Sequence, residues 1–93
     1  MAYVYILECC DGTLYTGSAN NVSQRLDKHN QGIASKYTRS RLPVKLVYVE
    51  KAESWSAALK REIVIKKLTH LRKLNLIEDF NPDRRPLLPK YFT

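Results

Sequence analysis

The chain has 93 residues, 44% of them hydrophobic, and its 16 Lys and Arg exceed nine Asp and Glu to give a formal net charge of +7. This length leaves room for one small domain, and no apolar run approaches the roughly 20 residues that cross a bilayer. We therefore expect a soluble, cytoplasmic monomer that avoids membranes and whose positive field attracts polyanions such as nucleic acid.

The folded domain is predicted over residues 1–78. Three of the four prolines fall after residue 80, which predicts an extended or disordered tail over residues 79–93.

The first elements form a predicted β-hairpin. Two runs rich in β-branched and aromatic residues lie at residues 2–9 and 13–18. A three-residue loop between them, with Gly12 in the left-handed region, pairs Tyr5 with Gly17. In that register Tyr5 and Tyr15 share one face of the sheet, whereas a two-residue loop would place them on opposite faces.

The remaining elements are predicted from periodicity and capping residues. A helix runs from a cap at Asn20 or Asn21 to about Asn30, and Gly32 stops it. After a loop with at most one helical turn come a third strand at residues 44–50, a long helix at 55–68 and a short helix at 70–80. Thr69 either ends the long helix or caps the short one.

The first helix carries two polar residues beside its core-facing stripe. At about 100° per residue, Arg25 and His29 lie one turn apart and flank the stripe formed by Val22 and Leu26. The alternatives are a solvated arginine and an exposed histidine whose charge suits the C-terminal end of the helix. The tyrosines, likewise, could be ordinary sheet aromatics.

Glu62 is notable because its neighbours in the long helix are apolar. A carboxylate is costly to bury without a partner, and a salt bridge to Lys66 or a place at the rim of the core would satisfy it. The functional alternative is a metal ligand. Because Mg²⁺ keeps several waters and recruits phosphate oxygens, such a site would fill properly only with nucleic acid bound.

Two tripeptides, Tyr3-Val4-Tyr5 and Tyr15-Thr16-Gly17, resemble the paired motif of the GIY-YIG nuclease superfamily, although the first lacks its glycine. Later residues that match the family's motifs are Arg25, His29 and Glu62. The phrases CDGTLYTG, HNQGIASKYTR, PVKLVY and SAALKREIVIKKL look like those of a small, stand-alone bacterial subgroup with a single domain. The resemblance covers residues 2 to about 78.

The resemblance implies an α+β fold in which helices flank a three-stranded antiparallel sheet. It also implies hydrolysis of a phosphodiester with one divalent ion, Mg²⁺ or Mn²⁺, held by Glu62. Tyr15 would activate or position the attacking water, with Tyr5 beside it. Arg25 would stabilise charge on the phosphoryl oxygens, and His29 would add a second polar group.

A tyrosine of ordinary pKa, near 10, is a poor base at neutral pH. We therefore expect positive charge from Arg25, His29 and the metal ion to favour the phenolate form in the site.

A basic segment around these residues is the predicted nucleic-acid contact. Its members are Lys28, Lys36, Tyr37, Arg39, Arg41 and Lys45. Phosphate contacts together with an aromatic ring that stacks on a base suit a branched or single-stranded substrate, which we expect to be DNA rather than RNA. A basic loop without a partner is the alternative.

The favoured function is a metal-dependent, structure-selective DNA endonuclease that is weak alone or depends on a protein partner. The resemblance implies this, because the family's strongest members gain affinity and specificity from a second DNA-binding domain, for which this small domain has no room. The first alternative is a non-catalytic nucleic-acid-binding module. The second is an adaptor that docks through the tail residues Leu87, Tyr91 and Phe92.

Overall fold

The computed structural model describes residues 2–87, which form a three-stranded antiparallel sheet with four helices. The elements are β1 (Ala2–Glu8), β2 (Leu14–Ala19), α1 (Val22–Asn30), α2 (Lys36–Arg39), β3 (Lys45–Ala52), α3 (Trp55–Lys66) and α4 (His70–Phe80). The strand order is β2-β1-β3, so β2 and β3 are the edges. The α+β prediction is confirmed. Within residues 2–87 the helices are too short and too polar to span a membrane.

The hairpin between β1 and β2 has the predicted three-residue loop. Gly12 adopts a left-handed φ of +83°, and the strands pair Tyr5 with Gly17 and Leu7 with Tyr15. Because strand residues alternate between faces, Tyr5 and Tyr15 lie on the same side of the sheet. The register on which the candidate site depends is therefore confirmed.

The sheet separates two apolar layers. On the face of Tyr5, β1 packs against α1 through Leu7 and Val22. On the opposite face it packs against α3 and α4 through Ile6, Ile65 and Ile77. Burial on both faces explains why the sequence of β1 is apolar almost throughout.

All four helices begin at a side chain that accepts a hydrogen bond from a backbone N–H group. These caps are Asn21, Ser35, Ser54 and Thr69. Thr69 thus begins α4, and α3 ends at Lys66, two residues before the predicted end. The single turn of α2 falls inside the predicted loop, and its position matters for the site below.

The segment after α4 is attached to β3. The helix ends at Phe80, beyond the predicted domain boundary at residue 78. The buried Asn81 side chain donates to Val47 O at 3.1 Å, and Leu87 N donates to Leu46 O at 2.8 Å. The tail predicted over residues 79–93 is thus held against β3 as far as residue 87. The predicted docking residues Tyr91 and Phe92 lie outside the described part of the chain.

Candidate functional site

Tyr5 occupies a slot that exists because Gly17 has no side chain. A Cβ atom at residue 17 would lie 2.5 Å from Tyr5 Oη and 2.7 Å from Tyr5 Cζ, closer than such atoms can approach. The tyrosine ring therefore lies against the backbone of β2, and only 2% of the residue is exposed. The glycine of the second motif thus has a steric reason.

His29 lies beneath Tyr5 and is hydrogen-bonded at both ring nitrogens. Its Nε2 lies 3.0 Å from Tyr5 Oη, and its Nδ1 lies 2.9 Å from Thr38 Oγ1. His29 is 1% exposed and Thr38 is fully buried. Because His29 follows Val22 by two helical turns, both face the core. The alternative of an exposed histidine at the helix end is therefore wrong. His29 lies beside both tyrosines, and its role in the site stays a prediction.

The protonation states in this half of the site differ from the prediction. Burial, followed by the positive charge of Arg25, lowers the pKa of His29 to about 4, so its imidazole is neutral at pH 7. Burial, reinforced by the nearby Tyr15, raises the pKa of Tyr5 well above its usual value, and Arg25 opposes this only in part. The expectation that a charged His29 favours a phenolate is wrong, because burial outweighs the local positive charge.

Tyr15 lies between two aromatic rings. The His29 ring centroid is 5.2 Å away in an edge-on arrangement, and the Tyr37 ring is stacked at 5.9 Å. Arg41 Cζ lies 4.1 Å from the centroid of Tyr37, so the ring predicted to stack on a base already contacts a guanidinium group. Tyr15 remains half-buried, which leaves part of its surface open to a ligand.

Arg25 is exposed on α1. Its charge acts on both Tyr5 and His29, so its guanidinium group lies close enough to interact with both electrostatically. It also borders a cleft of about 180 Å³ lined by Ala19, Asn20, Asn21, Gln24, Arg25 and Lys28. A guanidinium group in this position is available to an anion that enters from solvent.

Glu62 reaches β2 from the side opposite the tyrosines. Ser18 Oγ donates to one carboxylate oxygen, and Lys66 Nζ lies 2.7 Å from the other. Because residues alternate along β2, Ser18 faces α3 while Tyr15 faces α1. The candidate site therefore spans the edge strand, and the negative charge of Glu62 acts on Tyr5 across it.

The salt bridge considered for Glu62 is present, and it keeps the carboxylate charged. Burial works to raise the pKa of Glu62, but hydrogen bonds from Lys66 and Ser18 prevail and lower it. The hydrogen bond to Glu62 in turn raises the pKa of Lys66. A permanently ionised carboxylate at a sheet edge can serve either as a structural ion-pair partner or as a ligand.

The donor atoms around Glu62 fit a hydrated magnesium or manganese ion rather than a closed metal cage. Within residues 2–87 no three His, Cys, Asp or Glu side chains come together, so a zinc-type site has no counterpart there. Mg²⁺ commonly takes one or two carboxylates and keeps its remaining sites for water and phosphate. Glu62 can supply one such ligand if Lys66 shares the carboxylate.

The cations of the basic segment divide into two groups. Arg41 lies 3.1 Å from Asp11, and Lys45 lies 3.2 Å from Glu8. The cations without a carboxylate partner among residues 2–87 are Lys28, Lys36 and Arg39, and all three are exposed. The unpaired group is the better candidate for phosphate contacts, because its charge is not already neutralised.

Sequence reasoning missed two residues that contact the site. Ser18 follows Gly17 directly, and strand alternation would have placed it opposite Tyr15, although nothing in the sequence links it to Glu62. Thr38 lies in a segment predicted as loop, so no helical periodicity could bring it under His29. Ser18 and Glu62 are 44 residues apart and Thr38 follows His29 by nine, so both contacts join different elements and only the folded chain reveals them.

A family profile and several similar proteins match this chain over most of its length. The sequence profile described as the GIY-YIG catalytic domain matches residues 1–75. A UPF0213 protein of Syntrophus aciditrophicus is 55% identical over 83 residues, which cover 88% of this chain and 94% of that protein. A UPF0213 protein of Staphylococcus aureus is 53% identical over 77 residues, which cover 83% of this chain and 94% of that protein.

Two solved structures share the architecture. A solution NMR structure of a UPF0213 protein from Bacillus halodurans has a TM-score of 0.54 and 42% identity, covering 84% of each chain. A solution NMR structure of a protein from E. faecalis has a TM-score of 0.57 and 40% identity, covering 84% of this chain and 83% of that one.

Proposed function

The chain belongs to the GIY-YIG catalytic-domain family, and from this premise we propose that it is a metal-dependent, structure-selective DNA endonuclease. The family supports a nuclease, and the site chemistry supports the narrower proposal. The substrate is a branched or single-stranded DNA whose phosphodiester bond is hydrolysed. A protein partner adds affinity or specificity.

One observation carries this proposal. Tyr5 and Tyr15 both contact the His29 ring on one side of β2, and Glu62 reaches the same strand through Ser18, the residue after the glycine that faces Tyr5. The charges of Arg25 and Glu62 also act on Tyr5. A phenol, a guanidinium group and a carboxylate that converge on one edge of a sheet are the groups needed to position water, bind a phosphate and hold a cation. The exposed Arg25 adds a cation that an entering phosphate can contact.

The chemistry divides among these residues. Tyr15, the more accessible tyrosine, positions the attacking water, while Tyr5 accepts hydrogen bonds beside it. Arg25 stabilises negative charge on the non-bridging oxygens of the scissile phosphate. Glu62 would hold Mg²⁺ or Mn²⁺, which acts as a Lewis acid on the phosphate when bound. His29 is neutral and acts by holding the tyrosines rather than by its charge.

Cleavage of a panel of flaps, forks, four-way junctions and single strands in Mg²⁺ or Mn²⁺ tests the proposal. We expect metal-dependent cleavage of at least one branched substrate. Glu62→Ala and Tyr15→Phe should each lower the rate by about 10²-fold or more, the range seen when an electrostatic or positioning group is removed.

Matched controls are Glu78→Ala on α4 and Tyr48→Phe, which lies on the opposite face of the sheet. Neither should change the cleavage rate by more than about twofold. Cleavage that persists unchanged in Glu62→Ala and Tyr15→Phe would contradict these roles, and cleavage without a divalent ion would contradict the metal requirement.

The unpaired cations favour a second candidate, a non-catalytic nucleic-acid-binding module. The exposed Lys28, Lys36 and Arg39 can bind phosphates whether or not the site is active. This function predicts salt-sensitive DNA binding that survives Glu62→Ala, without cleavage in any metal. Metal-dependent cleavage that is lost in Glu62→Ala would exclude it.

A further inference from the structure

A chain of hydrogen bonds leads from Tyr5 into the interior and ends on α2. Tyr5 Oη lies 3.0 Å from His29 Nε2, and His29 Nδ1 lies 2.9 Å from Thr38 Oγ1. Thr38 Oγ1 in turn donates to Ser35 O at 3.4 Å. Tyr5, His29 and Thr38 are each at most 2% exposed, so solvent offers them no easy alternative partner.

The last acceptor favours one direction for the bonds in this chain. A backbone carbonyl can only accept, so when the Thr38 hydroxyl donates to Ser35 O, its oxygen is left to accept from His29. A neutral imidazole has one proton, which must then be on Nδ1. Nε2 is therefore an acceptor, and the Tyr5 hydroxyl donates to it.

We propose that Thr38 is a positioning residue: by accepting the Nδ1 proton of His29, it selects the tautomer that turns the Tyr5 hydroxyl proton inward. For its catalytic consequence this inference rests on the proposed function. With its proton directed at His29, the buried Tyr5 oxygen can only accept a hydrogen bond, from a group that a bound substrate brings to it. It therefore orients a donor, such as water, rather than an acceptor.

The same contact also positions Tyr15. The His29 ring lies edge-on to Tyr15 at 5.2 Å, so the rotation of His29 determines the surface against which Tyr15 packs. Tyr37, next to Thr38 on α2, stacks on Tyr15 at 5.9 Å. The one-turn helix α2 thus supports both tyrosines. Thr38 holds the His29 ring that binds Tyr5, and Tyr37 stacks on Tyr15.

Nitrogen-15 NMR of the histidine side chains tests the tautomer without any need for activity. In the wild-type protein at pH 7 we expect His29 to show a protonated Nδ1 and an unprotonated Nε2. In Thr38→Val, which replaces the hydroxyl with a methyl group of similar size, an Nδ1 proton would be left unpaired, so the proton should move to Nε2. Thr38→Ser keeps the hydroxyl and should retain the wild-type pattern.

Cleavage kinetics test the consequence. Thr38→Val should lower kcat about tenfold with KM within about twofold, because substrate contacts are untouched, and Thr38→Ser should restore kcat. An Nε2-protonated His29 in the wild type would overturn the inference, as would an unchanged tautomer in Thr38→Val. If Thr38→Val fails to fold, the wild-type tautomer still decides. A wild-type chain with the expected tautomer that cuts no DNA would refute the proposed function and leave the positioning intact.

Discussion

The two halves of the candidate site are built in opposite ways. On the side of α1 and α2, Tyr5, His29 and Thr38 are buried, uncharged at neutral pH and joined by hydrogen bonds. On the side of α3, Glu62 is charged, lies nearer solvent and is held by Lys66. The first half is thus arranged before any ligand arrives. In the second half, a metal ion can take the place of Lys66 as the partner of the Glu62 carboxylate.

Acidification should produce the largest effect, and it acts on the buried half of the site, which contains Tyr5, His29 and Thr38. The pKa of His29 is about 4 in the folded protein against an ordinary 6.5, so between these values the unfolded chain binds more protons. Stability from this group is therefore complete above pH 6.5 and is lost as the pH falls through 4. The difference of about 2.5 in pKa corresponds to about 3 kcal/mol.

Urea denaturation at several pH values measures this loss. His29→Gln should flatten the dependence between pH 6.5 and 4, whereas His70→Gln, at an exposed histidine on α4, should leave it intact. If the free energy of unfolding changes with pH equally in the wild type and in His29→Gln, burial does not suppress the charge of His29.

Gly17→Ala should displace Tyr5 and so disturb the buried half of the site through a steric clash. The added Cβ would meet the hydroxyl and ring of Tyr5, and overpacking of this kind costs about 1–3 kcal/mol. Gly12→Ala is the control, since no atom lies within 4 Å of a Cβ there and only the left-handed φ is unfavourable, at about 1 kcal/mol. Thermal or urea unfolding compares the two, and a smaller loss at residue 17 would contradict the contact with Tyr5.

Lys66→Met should strengthen metal binding in the charged half of the site, which contains Glu62. Removing the ammonium group frees one oxygen of Glu62 for a metal ion, so the Mg²⁺ concentration that gives half-maximal cleavage should fall about threefold to fivefold, equivalent to about 1 kcal/mol. Lys67→Met is the matched control, because Lys67 has no carboxylate partner within residues 2–87. A higher metal requirement in Lys66→Met would mean that Lys66 assists the metal rather than competes with it.

Single cations outside both halves should have the smallest effects. Lys36→Ala and Arg39→Ala should each reduce the magnitude of the negative slope of log K against log salt concentration by about one for a forked DNA. Lys45→Ala should change it less, because Lys45 is paired with Glu8. Fluorescence anisotropy at several salt concentrations measures the slopes, and equal changes in all three variants would show that ion pairing does not select the contacts.

Local sequence signals predicted most of the fold. A single glycine at the end of a three-residue loop fixed the hairpin register, and capping side chains marked the helix starts, because both depend on neighbours in the chain. The same register placed Tyr5 and Tyr15 on one face. These parts of the site were therefore accessible from residue order alone.

The electrostatic state of the site was not accessible in the same way. The neutrality of His29 depends on complete burial beneath Tyr5 and beside Thr38. Ser18, 44 residues from Glu62, adds to the salt bridge from Lys66 in keeping Glu62 charged. Helical spacing placed His29 correctly but could not tell how deeply the chain would cover it. Helical spacing indicated the salt bridge from Lys66, but the other contacts join different elements and no local pattern encodes them.

The attachment of the segment after α4 has a further consequence for association between molecules. As an edge strand, β3 offers backbone groups that could pair with a strand of another copy and begin aggregation. Asn81 and Leu87 occupy the outward carbonyls of Val47 and Leu46, so the chain shields that edge with its own backbone. Shortening the protein at Phe80 would uncover these acceptors, and the first sign should be self-association rather than loss of the fold.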